Sequence, residues 1–138
     1  MAIEFHDNSM KVKAAMDAAV IAYLHEAATS MQNQAAKNTR IGKGDTAEAW
    51  DYRVDEGNLE ATVGNPLENA IWEEFGTGEY ALHGDGRRGG WSYQDEDTGK
   101  WHHTYGKTPS RAFHNAFNTL KSALIRRAEE VLKARLKE

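Results

Sequence analysis

Ile71-Trp72-Glu73-Glu74-Phe75-Gly76-Thr77-Gly78, answered further on by Lys107-Thr108-Pro109-Ser110-Arg111-Ala112-Phe113, sets the layout of this chain. The first stretch closes an apolar and acidic run with two glycines that permit a tight bend after Phe75. The second carries a proline that ends the hairpin segment before it and a serine, Ser110, that serves as a candidate N-cap for a long C-terminal helix. Leu67 to Phe75 reads as a short helix leading into a strand edge at Glu73–Phe75, or as a third strand, with Phe75 in the core. Trp72 lies three residues before Phe75 and either closes the same apolar layer or faces a partner.

Between the two stretches the chain is glycine-dense and aromatic. Gly84-Asp85-Gly86-Arg87-Arg88-Gly89-Gly90 cannot pack a core. Trp91, Tyr93, Trp101, His103 and Tyr105 alternate on either side of the turn Asp95-Glu96-Asp97-Thr98-Gly99, which reads as a hairpin able to extend from the body. Upstream, Ala47 to Val54 alternates with a period of two, and Leu59, Ala61 and Val63 return after the turn Asp55-Glu56-Gly57-Asn58 as a second strand.

Long helices flank these hairpins. Val12, Met16, Val20, Tyr23, Leu24, Ala27 and Met31 make one apolar stripe from residue 9 to about 37, capped by Asn8 or Ser9. Asn38 to Asp45, with two glycines, is a loop. After Pro109 a second stripe runs through Phe113, Ala116, Phe117, Leu120, Leu124, Ala128, Val131, Leu132 and Leu136. The expected architecture is α+β: an antiparallel sheet of hairpins packed by an N-terminal and a C-terminal helix, with a long protruding glycine-rich hairpin loop over about 79–106. The 138 residues form a single domain, enough to bury about two-thirds of the unfolded surface.

Composition narrows the function classes. There is no cysteine, so neither disulfides nor thiolate metal sites are available. Residues 1–7 lack the basic-then-apolar form of a signal peptide, and no apolar run approaches the about 20 residues needed to cross a bilayer. The expectation is a chain made in the cytosol, without membrane attachment. The net charge of −4 conceals a polarity: Asp45–Tyr80 holds ten acids against Arg53 alone, and Lys100–Glu138 holds nine bases against three acids. That separation disfavours one dominant basic face for nucleic acid and suits head-to-tail contact between copies, or a solvated basic helix beside an acidic sheet surface.

No catalytic equipment stands out. His83, Asp85, His102 and His103 fall near one another in sequence, but adjacent strand residues point to opposite faces and cannot easily ligate one ion. Asp95–Gly99 lacks the spaced acids of a calcium loop. Glu73 and Glu74 diverge as neighbours and read as structural or interface glutamates rather than an acid/base pair. The glycines contain no Gly-Lys-Ser/Thr phosphate cradle. The chain is expected to have no cofactor, no metal and no enzymatic activity.

Glu74-Phe75-Gly76-Thr77, followed by an aromatic glycine-rich hairpin and the helix start at Pro109 to Phe113, resembles a family of siphophage neck proteins typified by gene product 10 of coliphage HK-97. That family's Glu-Phe-Gly-Thr element is intact here. Its Pro-x-x-Pro-Phe element is degraded, since Ala112 stands where the second proline is expected. The resemblance implies a structural virion protein that completes the tail and joins it to the head. It implies a ring, usually of six copies, around a channel through which DNA passes without specific binding, with neighbouring neck and tail proteins as further partners. Candidate contact residues are Trp72, Glu74, Phe75, Gly76, Thr77, Arg87, Arg88, Trp91, Tyr93, Trp101 and Tyr105. An alternative is a nucleic-acid-binding accessory protein using Arg87, Arg88 and the aromatic hairpin by charge and stacking. A third is a small metal-dependent hydrolase using the histidines.

Overall fold

The computed structural model describes residues 9–40 and 45–136. Helix α1 (Ser9–Asn38) is followed by a short helix α2 (Asp45–Glu48), strands β1 (Asp51–Asp55) and β2 (Glu60–Gly64), and helix α3 (Glu68–Phe75). A 3-10 turn (Gly78–Tyr80), strands β3 (Trp91–Gln94) and β4 (Trp101–Thr104), and helix α4 (Ala112–Leu136) complete it. The fold is α+β. The expected Asn8 cap and the glycines of the 41–44 loop lie outside the described residues.

The two long helices run antiparallel. Asn38 Nδ2 donates to the Ala112 carbonyl at 3.2 Å, and toward the other end Tyr23 Oη donates to that of Leu124 at 2.7 Å. Burial, and secondarily the Glu26 charge, raises the Tyr23 phenol above its ordinary value. Glu26 also accepts from Arg127 Nε at 3.0 Å.

The core lies where α1 and α4 cross beneath the first hairpin: Met31, Ala35, Trp50 and Ala116 are buried, with Val63, Phe113, Leu120 and Leu124 packed against them. Small residues at Ala35 and Ala116 let the helices approach, and the Trp50 ring stacks on Phe113 at 5.7 Å. Its indole nitrogen, which a core must satisfy, donates to Thr39 Oγ1 at 2.8 Å.

Among the described residues, the single sheet expected from sequence is instead two separate two-stranded sheets, β1–β2 and β3–β4. Only β1–β2 packs closely on the helices, with Tyr52, Val54, Ala61 and Val63 turned inward against α1. The expected strand over Ala47–Ala49 is the end of α2 and a turn, because Trp50 enters the core before the ladder begins. Leu59 belongs to the turn rather than to the returning strand: its backbone is left-handed (φ 51°) and its side chain is exposed. Phe117, Leu132 and Leu136, expected on the buried stripe of α4, are also exposed, since α1 covers only part of that face.

Candidate functional site

The Ile71–Gly78 and Lys107–Phe113 stretches are fastened to each other. Helix α3 continues through Glu73–Phe75, so no strand edge forms there. It stops at Gly76, whose positive φ of 74° turns the chain alongside residues 105–110. A Cβ at Gly76 would lie 2.9 Å from the Lys107 carbonyl. At Gly78 it would overlap the Tyr105 carbonyl oxygen, and at Gly106 that of Thr77. These glycines are therefore steric requirements of two backbones in contact.

Hydrogen bonds accompany that contact. Thr77 N donates to Lys107 O at 2.9 Å, Glu79 N to Tyr105 O at 2.8 Å and Ser110 N to Glu73 O at 2.6 Å. Lys107 N donates to Thr77 Oγ1 at 2.9 Å. Thr77 thus serves the clasp through both main chain and side chain.

The paired glutamates divide the electrostatic work. Glu73, only 5 % exposed, accepts from Arg40 Nε at 3.0 Å through one oxygen and from Lys107 Nζ through the other. Arg40 also donates to the Thr108 carbonyl. Burial, and then the neighbouring Arg40 cation, lowers Lys107 below the ordinary lysine value.

Glu74 turns the other way and caps α4: its oxygens accept from Phe113 N at 3.0 Å and His114 N at 3.1 Å. A carboxylate on these orphan amides meets the positive end of the helix dipole. The expected cap, Ser110, does not perform this role, and its buried hydroxyl has no hydrogen-bond partner among the described residues. The chain enters α4 through Arg111 in the left-handed region (φ 58°), whose guanidinium lies 3.6 Å from Glu74 and over the Phe75 ring at 5.5 Å.

Phe75, expected in the core, is 40 % exposed. Trp72 is 49 % and Ile71 58 % exposed on the same helix, because α3 buries its Ala70 and Glu73 side instead. Their outer faces wall a groove of about 560 Å³ between α3 and the loop leading to β3, with Trp91, Arg87 and His83 on its other side. The Arg87 guanidinium stacks over Trp91 at 5.5 Å, and His83 lies 5.5 Å from the Phe75 ring.

Trp72, Phe75, Gly76, Thr77, Arg87 and Trp91 of the expected contact set therefore line one groove. Glu74 lies behind it in the clasp. Arg88 is exposed in the loop next to Arg87, and the Tyr105 carbonyl belongs to the clasp while its ring is exposed. Tyr93 and Trp101 stand apart on the second hairpin. Arg40 and Lys107 are members of the site that the sequence pattern did not single out. Two adjacent acids before a glycine bend, matched by cations on both sides of Pro109, could have found Lys107; Arg40, 33 positions before Glu73, carries no such local signal.

The second hairpin pairs in the register Trp91↔Thr104 to Gln94↔Trp101. Among the described residues it makes no extensive contact with any other helix or strand. Asp95 Oδ1 accepts from Asp97 N at 2.8 Å and Thr98 N at 3.1 Å, which makes the acidic turn an Asx-type turn. His102 sits beside Tyr93 and His103 beside Tyr105, on opposite faces of the strand. Among the described residues no three His, Asp or Glu side chains converge as metal ligands, and no helix is long and apolar enough to cross a membrane.

No family model, no curated protein and no solved structure matches the chain.

Proposed function

We propose that this chain is a structural protein of a tailed bacteriophage neck, located in the virion, which forms a ring that completes the tail and joins it to the head. The observation that carries the reading is the clasp. The two sequence marks of the neck-protein resemblance, Glu74–Thr77 and the helix start after Pro109, meet as one structural unit. Their residues serve architecture: Glu74 caps α4, Gly76 makes room for a backbone and Thr77 bridges to Lys107. The same unit leaves Trp72 and Phe75 facing solvent, which is the composition favoured at the centre of protein interfaces.

In this reading the groove and the second hairpin make the contacts between subunits and to neighbouring neck and tail proteins, in a ring whose sixfold order is inferred from the resemblance. The outer face of β1–β2 exposes Asp51, Asp55 and Glu60 against the single cation Arg53, and in this reading its net negative charge lets DNA slide along it without adhering. The charge polarity acts partly within the subunit, since Glu73 and Glu74 of the acidic segment are paired with Lys107 and Arg111 of the basic one. A nucleic-acid-binding role would draw on the Arg87–Trp91 stack. The carboxylates of Asp85 in the groove and of Asp95–Asp97 on the hairpin oppose that reading.

Deleting the gene from its phage or prophage tests the proposal. Filled heads beside separate, finished tails in negative-stain images of the lysate are the expected result. Intact infectious virions would overturn it.

A further inference from the structure

We propose that the tip of the β3–β4 hairpin, anchored by Trp101, docks into the α3 groove of a second copy of this chain, joining copies head to tail. The inference rests on the ring reading above and names the two surfaces that close the ring. Trp101 is 69 % exposed, and tryptophan is among the residue types most enriched at binding hot spots. It follows Lys100 and stands across the ladder from Gln94, next to the turn that carries Asp95, Glu96 and Asp97, at the end of the hairpin away from Trp91.

The groove is lined largely by aromatic and small residues. Its walls carry Trp72, Phe75 and Trp91, and its volume of about 560 Å³ accommodates an indole with space for the flanking turn. Arg87 lies at its rim and Arg88 comes next in the chain, both opposite in sign to the acidic turn, and together they outweigh the one carboxylate of the lining, Asp85. An aromatic anchor entering an aromatic, cation-edged cleft buries apolar area and stacks on a guanidinium at once.

A subunit cannot fill its own groove with its own tip. Trp91 pairs with Thr104 at the base of the ladder and Trp101 with Gln94 toward the turn. Three residues of strand separate those rungs by ~10 Å, and the hydrogen-bonded ladder keeps them apart. Donor and acceptor are different surfaces, so the contact is heterologous. It generates a ring where the rotation closes and a filament where it does not.

Sedimentation velocity on the full chain and two variants tests this. Trp101→Glu removes the anchor but keeps the groove, and Trp72→Glu damages the groove but keeps the anchor. Wild type is expected to self-associate with rising concentration. Each variant alone is expected to remain monomeric with wild-type circular dichroism, and an equimolar mixture to form dimers and stop there, one intact contact per pair. Should Trp72→Glu disturb folding, Arg88→Glu takes its place: it is expected to weaken association at least ~10-fold, with Glu96→Lys in the same chain restoring it.

A wild-type chain monomeric to ~1 mM, a single variant that assembles like wild type, or a mixture that stays monomeric overturns the docking. Separated heads and tails in the deletion lysate alongside a monomeric protein would sink the docking and leave the neck reading standing. Virions unaffected by deletion alongside complementing variants would do the reverse.

Discussion

At Gly78 and Gly106 an added methyl group would overlap a neighbouring carbonyl oxygen, whereas at Gly84 and Gly89 it would meet nothing within 4 Å. All four residues belong to one glycine-rich stretch, and all four have positive φ. In the clasp, backbone lies directly on backbone, closed by hydrogen bonds and by a buried carboxylate shared between two cations. In the loop beyond it, Gly84 and Gly89 only permit turning, while Gly86 lies against the Gly78 carbonyl and so belongs with the clasp, and farther out Tyr93 and Trp101 face solvent. The same composition thus encodes both a tight fastening and open turns, and what distinguishes them is whether another segment of chain returns alongside.

The sharpest way to break this contrast is to place alanine at both kinds of site. Gly106→Ala is expected to destabilise the fold by about 4 kcal/mol or more, since it combines a backbone clash with an unfavourable φ. Gly84→Ala should cost only about 1–2 kcal/mol, the left-handed penalty alone. Equal midpoints in urea unfolding would show that the clasp is no tighter than the loop.

Glu73→Gln comes next, at about 2–3 kcal/mol by the same assay. The loss stays below that of a fully buried pair because Arg40 and Lys107 are each nearly half exposed and regain water. Glu74→Ala should cost about 1–2 kcal/mol through the lost α4 cap, and hydrogen exchange is expected to quicken first in the opening turn of α4. Unchanged exchange at Phe113 and His114 would remove Glu74 from that role.

On the other side of the comparison, Trp101→Ser should leave monomer stability within ~0.5 kcal/mol of wild type, as an exposed side chain should. A larger loss would mean that the hairpin packs on the body after all. The smallest effect concerns the first hairpin. The Asn58 side chain, and then its main-chain amide, holds the Asp55 carboxyl below its ordinary value of 3.8. A lowered acid stabilises the fold above its unfolded value and loses that contribution as pH falls through the folded one. Asp55→Ala and wild type should therefore differ at pH 7 and converge in strong acid; a gap independent of pH would exclude the carboxylate as its source.

Much of the layout was legible because its signals are local. Helical spacing marked α1 and α4, alternation marked the inward residues Tyr52, Val54, Ala61 and Val63, and the acidic turn marked the second hairpin. The candidate site was legible only in part. Glu73 meets Lys107 across 34 positions and Glu74 meets His114 across 40, distances over which no periodicity carries information. Phe75 looks like core by hydrophobicity, and its exposure depends on which side of α3 the buried Glu73 occupies.

Sequence by itself determined the α+β content, the two hairpins, the two long helices and the glycine bend after Phe75, because each arises from steric preferences of a few consecutive residues. Only the tertiary structure decided that Glu73 is buried between two cations, that Glu74 rather than Ser110 caps α4, and that Trp72, Phe75 and Trp91 share a groove. Those outcomes depend on which distant segments come into contact, and that is settled by backbone fit at Gly78 and Gly106 and by where two buried or half-buried carboxylates find their partners.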